Sequence, residues 1–298
     1  MARLPSKIDR SVAPGARNRL DDFTATHALL TLYIHGNGPY LSWHRYFIHL
    51  FEKALRDECG YKGTQPYWDW SLSWRDPASS SILDGSPWSL GSNGAYIPNR
   101  EPAVAVDATG FQSLMYPGTG GGCVERGPLS ADKFHVNLGP ISFLPTGPDG
   151  GFGYNPRCLT RDISLTDASD ARPSNVTKLL DCPDYECFVL QQDDWQGLHG
   201  AGHFIAGGAG GLMSDGSGSP GDPIFFSHHA QLDRLWAIWQ YMTPGRFDSI
   251  WGTLTYYNTP PTPDATLDTP MSFGILAPNI TIKDGYSTID GPFCYIYV

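Results

Sequence analysis

Residues 222–242, DPIFFSHHAQLDRLWAIWQYM, decide how the rest of the chain is read. Phe225, His229, Leu232, Trp236 and Trp239 recur at the three- and four-residue spacing of one helix face. The segment is predicted to be a helix whose apolar stripe faces a core and carries one imidazole, His229, inward. His228 lies off the stripe. Asp233, one turn after His229, shares its face, where a carboxylate can accept the second ring N–H of a metal-bound imidazole. The ordinary alternative for Asp233 is an ion pair with Arg234 or another surface cation.

Upstream, LSWHRYFIHLFEKALRDECG (41–60) places Trp43, Phe47, Leu50, Phe51 and Leu55 near helical spacing and reaches a natural stop at Gly60. DDFTATHALLTLYIH (21–35) opens with a plausible Asp cap and continues as a helix-compatible apolar run, broken by GNGPY. DDWQGLHGAGHFI (193–205) is also helical in character. Between 71 and 193 Gly, Pro, Ser and Asp dominate, with PGTGGGC and PTGPDGGFGYNP as extremes. A structureless loop of that length is rare within a compact domain, so ordered loops pinned by disulfides onto a helical framework are expected. The tail from Thr243 alternates Pro-rich loops with β-prone runs such as YSTID and FCYIYV.

In 298 residues, 41% apolar and 17% charged, the chain has enough apolar material for a sizeable core and is not of disordered composition. A formal net charge of -10 without a basic stripe argues against a nucleic-acid partner. No run of eighteen apolar residues occurs, which argues against a membrane span, and no signal peptide is evident, which suggests a mature or trimmed product. Six cysteines permit three disulfides without choosing among the fifteen pairings. Together with N-glycosylation sequons at Asn175 and Asn279, they favour a secreted, extracellular protein.

Eight of the nine histidines fall in two windows, 27–49 and 199–229, and both windows are helical in pattern. A lone buried histidine is ordinarily a hydrogen-bonded core residue, but clustering on apolar helix faces points to metal binding. His199 and His203, four residues apart, share one helix face and can share one ion. Gly200 and Gly202 between them are expected to keep the surroundings open. No Glu follows His199, so the zinc-protease pattern is absent. With His229 from the last helix, and His27, His35 and His44 from the first window, two all-imidazole triads emerge. Imidazole alone also suits zinc, iron or nickel, but two such triads favour a facing pair of coppers.

These segments resemble the superfamily of tyrosinases, catechol oxidases and hemocyanins. The resemblance is carried by H-x7-H-x8-H (His27, His35, His44) with YLSWHRYF, by PYWDW at 66–70, HGAGH at 199–203, DPIFFSHHAQLDRLW at 222–236, and GPL and NLGP within 127–140. The chain looks most like the short secreted catechol oxidases and tyrosinases of fungal type. The resemblance implies a mainly α fold: a four-helix bundle holding a dinuclear copper site, wrapped by disulfide-pinned loops with a few short β-strands. It implies one tyrosinase-like domain over 1–298, with no C-terminal shielding domain and hence an open, active form.

On the same ground His27, His35 and His44 would hold the first copper, and His199, His203 and His229 the second. His228 becomes a neighbour of the site, not a ligand. Gly200, Phe225, His228 and Asp233 are the residues expected around the reacting centre, with Phe225 and Phe226 as candidate pocket walls. The cofactors would be two copper ions, and the partners dioxygen and small phenols. The reaction would oxidise o-diphenols to o-quinones while dioxygen is reduced to water, with monophenols or o-aminophenols as secondary substrates. Three departures from the family pattern bear on this. Tyr33 stands where several relatives carry a cysteine thioether-linked to a histidine, so no thioether is expected. Gly200 stands where many monophenol hydroxylases carry Asn or Asp that helps place a water base, with Gln192 or Gln196 as substitutes. The family's usual cysteine-bearing segment before LPSK is also missing, which leaves one cysteine without its partner. The rival functional readings are a reversible dioxygen carrier of hemocyanin type and a disulfide-rich binding module with incidental histidines.

Overall fold

The structure, a computed structural model, describes residues 1–298. Seven α-helices follow in chain order: α1 (Arg19–Leu30), α2 (Tyr40–Cys59), α3 (Leu165–Ala168), α4 (Pro173–Leu180), α5 (Tyr185–Asp193), α6 (Leu198–Gly207) and α7 (Ile224–Met242). The strands are short. β1 (Gly94–Tyr96) pairs with β4 (Gly121–Val124), and β2 (Ala103–Val106) lies between β3 (Gln112–Met115) and β6 (Phe143–Leu144). β5 (His135–Val136) pairs with β7 (Arg157–Cys158), and β8 (Pro270–Met271) with β9 (Ile280–Thr281), every pairing being antiparallel.

Helices α1, α2, α6 and α7 carry all the clustered histidines except His35 and enclose the centre of the molecule. Their ends are set by local chemistry. Asn18 accepts hydrogen bonds from the Leu20 and Asp21 amides while Asp21 accepts from the Asn18 amide, a reciprocal cap that starts α1. Gly60 takes the left-handed conformation (φ 69°) that closes α2. The helices meet through aromatics: Phe226 stacks on Phe51 with ring centroids 3.5 Å apart, and Phe23 packs edge-on against both. A single cluster of 45 buried apolar residues runs from Leu20 to Tyr286 and joins the framework to the tail.

Buried carboxylates fasten several of the loops. Asp162 takes both guanidinium nitrogens of Arg100 and the amides of Gly118, Gly120 and Ala209. Asp222, just before α7, pairs through both oxygens with Arg161, and both side chains are fully buried. Two disulfides assist, Cys123–Cys158 and Cys182–Cys187, while Cys59 and Cys294 are free and exposed. The six cysteines therefore form two disulfides, not three.

Three local expectations change. The first helix ends at Leu30, and a 3₁₀ turn (Thr31–Tyr33) follows, so His35 lies on a loop; Gly36 at φ 56° turns the chain away. The 71–193 region holds helices α4 and α5, too short to show periodicity but marked by Pro173 in a first turn and by an Asp184 cap. YSTID and FCYIYV form no strand. The last segment is instead held by side chains: the Tyr295 and Tyr297 hydroxyls donate to Asp233.

Candidate metal centre

Two groups of imidazoles meet between the four helices. In each, the candidate donor atoms lie within 4.8 Å of one another: His27, His35 and His44 in one, His199, His203, His228 and His229 in the other. The groups face each other. His35 stacks on His199 (centroids 5.7 Å, 17° between planes) and His44 on His229 (4.5 Å, 11°).

The backbone fixes which nitrogen faces inward. The Nδ1–H groups donate to main-chain carbonyls: His27 to Ser217 (2.9 Å), His35 to Thr31 (3.1 Å), His44 to Tyr40 (2.8 Å) and His203 to Met213 (2.8 Å). A carbonyl oxygen only accepts, so each neutral ring carries its proton on Nδ1 and keeps a lone pair on Nε2. His199 is held by a carboxylate, its Nδ1–H donating to Asp193 Oδ1 at 2.8 Å. The Nε2 atoms of His27, His44, His199 and His228 are buried without any partner. Those of His203 and His229 stand 3.3 Å apart. Two imidazole nitrogens bound at 2.0–2.1 Å to one near-tetrahedral ion are separated by roughly that distance.

Proximity alone does not separate His228 from His229. Trp70, the last residue of PYWDW, donates its indole N–H to His228 Nδ1 at 3.2 Å. The neutral His228 ring must then carry its proton on Nε2, so it has no lone pair left for an ion. Trp70's part has no signature in the sequence beyond its place in an aromatic-rich motif.

Burial keeps these rings neutral. Removal from water holds His27, His44, His203 and His229 well below the usual histidine range, reinforced by neighbouring imidazoles. The same cause brings His35 to about 4, against the opposing pull of Asp193. An all-imidazole, neutral donor set without thiolate or carboxylate suits copper.

The other candidates are placed as follows. Asp233 does not orient His229: Oδ1 accepts from Arg45 Nε at 2.5 Å and Oδ2 from the two tyrosines, because α7 presents it to the buried Arg45 of α2. The carboxylate behind an imidazole is Asp193, whose Oδ2 also accepts from the Gly36 amide. Phe225 is no cavity wall; it lies beneath the centre, its ring 4.1 Å from His229 and 5.2 Å from His27. Phe226 belongs to the aromatic core. The glycines are packed, not open: a Cβ at Gly200 would collide with the Trp195 carbonyl, and one at Gly202 with the His228 ring. Tyr33 is half exposed, and neither Gln192 nor Gln196 lines the access cavity.

That cavity, about 100 Å³, opens onto His35, His199 and His203, with Gly200 and Phe204 in its wall. It is smaller than the 300–1,000 Å³ sites that enclose drug-sized ligands and suits a single ring.

Comparison with known proteins agrees with this geometry. Residues 17–242 match the family described as the common central domain of tyrosinase. Tyrosinase P of Aspergillus terreus is 39% identical over 311 residues, covering 100% of this chain and 85% of the relative. The N-acetyl-6-hydroxytryptophan oxidase ivoB of Emericella nidulans is 37% identical, covering 99% and 85%. A solved structure of a polyphenol oxidase variant from Thermothelomyces thermophila superposes with a TM-score of 0.91 at 40% identity, covering 100% of this chain and 82% of that one. With two facing clusters of imidazoles inside the matched region, the chain belongs to the tyrosinase family, copper-dependent oxidoreductases that act on phenols.

Proposed function

We propose that His27, His35 and His44 hold one copper, that His199, His203 and His229 hold the other, and that the enzyme oxidises o-diphenols to o-quinones. The observation that carries the ligand set is the tautomer pattern. Inward Nε2 lone pairs are fixed on His27, His35, His44, His199 and His203, His229 Nε2 meets that of His203, and Trp70 withholds His228. When bound, the copper pair supplies the redox step that couples phenol oxidation to dioxygen. The protein contributes fixed rings, a dry aromatic floor formed by Phe225, and a cavity sized for one aromatic ring.

Gly200 supports o-diphenols over monophenols. No side chain at that position can place a water base against an incoming phenol. Gln192 cannot substitute, since its Nε2 donates to the Leu232 carbonyl and the residue is fully buried. Monophenol and o-aminophenol oxidation are secondary activities on this reading. Oxygen uptake by the copper-loaded protein, with a catechol and its matching monophenol side by side, tests it. Prompt uptake with both would reject the inference from Gly200. Reversible oxygenation without quinone would favour the dioxygen carrier instead. For the ligand set, His229→Ala loses about one copper per chain and His228→Gln retains both; equal loss from the two variants would refute the assignment.

Residues 1–298 form one tyrosinase-like domain on this reading, and the protein is secreted. Two disulfides and two sequons support secretion, and no helix is long and apolar enough to cross a membrane. Of the sequons, Asn279 is exposed, while Asn175 lies within α4 and donates its amide to the Asp170 carbonyl. Asn279 is the better glycan acceptor.

A further inference from the structure

The cavity over the imidazoles has an acidic mouth. Asp107, just after β2, Asp193 at the end of α5, and Asp194 contribute to its wall, and no lysine or arginine does. Asp193 is committed to His199 and Gly36. The other two are not neutralised: neither is in an ion pair. Asp107 uses Oδ1 to accept from Thr109 and Phe111, Asp194 uses Oδ1 to accept from the Gln196 amide, and the second oxygen of each is free.

Two further observations point to a ligand at this mouth. Ser214, 2% exposed, lines the same cavity with its hydroxyl lacking any partner. Tyr256 lines the cavity with the three carboxylates; burial first, then Tyr257 and the charges of Asp107, Asp193 and Asp194, push its hydroxyl pKa up. An aromatic face beside unpaired carboxylates attracts an ammonium group through both the ring quadrupole and charge.

We propose that Asp107 and Asp194 are specificity-determining residues that select phenols bearing a protonated amine and disfavour those bearing a carboxylate. This rests on the phenol-oxidase reading. A cleft lined by one sign of charge concentrates oppositely charged ligands and repels like ones, by on the order of tenfold or more, and salt screens the effect. The discrimination therefore falls mainly on KM, because neither residue reaches the imidazoles that surround the reacting ring.

The test uses the copper-loaded full chain and three catechols with similar tethers: dopamine, neutral ethylcatechol and dihydrocaffeate. The expected order of kcat/KM is dopamine, ethylcatechol, dihydrocaffeate, with roughly tenfold between the extremes that shrinks at high salt. The double variant Asp107→Asn with Asp194→Asn narrows the ratio, and Asp194→Lys, at an exposed position, moves dihydrocaffeate ahead of dopamine. Equal kcat/KM for all three, or a ratio untouched by both variants, would overturn the proposal. Calorimetric binding of phenethylamine against phenylpropionate gives a readout without turnover. If ethylcatechol is not oxidised, the oxidase reading fails, yet preferential binding of phenethylamine would still support the acidic mouth, and equal binding would still refute it.

Discussion

Asp193 offers the sharpest test of how the centre is built. Its side chain is 6% exposed and serves two donors, His199 Nδ1–H through Oδ1 and the Gly36 amide through Oδ2. Gly36 directly follows His35, so one carboxylate braces an imidazole of each proposed triad. Carboxylates behind metal-bound histidines are worth 10- to 100-fold in metal affinity, about 1.4–2.8 kcal/mol. Asp193→Ala removes both contacts and leaves two donors short of an acceptor. Asp193→Asn keeps one carbonyl oxygen and so serves one donor only. Copper content measured after dialysis against graded chelator should fall by 10- to 100-fold in apparent affinity for Asp193→Ala, with Asp193→Asn between it and the parent. The Tm of the copper-free forms separates general destabilisation from ligand positioning. Unchanged chelator resistance in Asp193→Ala would refute the bracing role.

Other outcomes follow from the same geometry. Gly200→Asn must displace the Trp195 carbonyl, so a loss of about 1–3 kcal/mol in urea unfolding is expected; an undiminished midpoint would show that the 194–197 turn yields freely. Arg45→Ala leaves Asp233 without its buried partner and should cost about 3–5 kcal/mol, read from the same denaturation curves. A change below about 1 kcal/mol would mean that Tyr295 and Tyr297 satisfy Asp233 alone. In the copper-free protein His35 has its folded pKa lowered from 6.5 to about 4. The unfolded chain therefore binds the proton first, so stability is complete above pH 6.5 and is lost as pH falls toward about 4, by up to about 3 kcal/mol. Thermal melts across that range check the sign, and a Tm that rises on acidification would contradict it.

The sequence determined the framework and the identity of the clustered imidazoles because both are local. A helix face repeats every three to four residues, so the stripe through Phe225, His229 and Trp236 announced α7, and Gly60 announced the end of α2. The resemblance then divided the histidines into two triads without any geometry. The tertiary structure decided what depends on groups far apart in the chain. Asp233 and Asp193 are both acidic residues near a histidine. Only packing shows that Arg45, 188 positions away, takes Asp233, and that Asp193, six residues before His199 but 157 from Gly36, holds both. The proton positions were likewise invisible in sequence, because a ring's tautomer is set by whichever acceptor or donor the fold brings to Nδ1: the Ser217 carbonyl for His27, the Trp70 indole for His228. Hydrogen bonds of this range obey no periodicity. They are fixed only when the helices close on one another, where each buried polar atom either finds a partner or is left facing the centre.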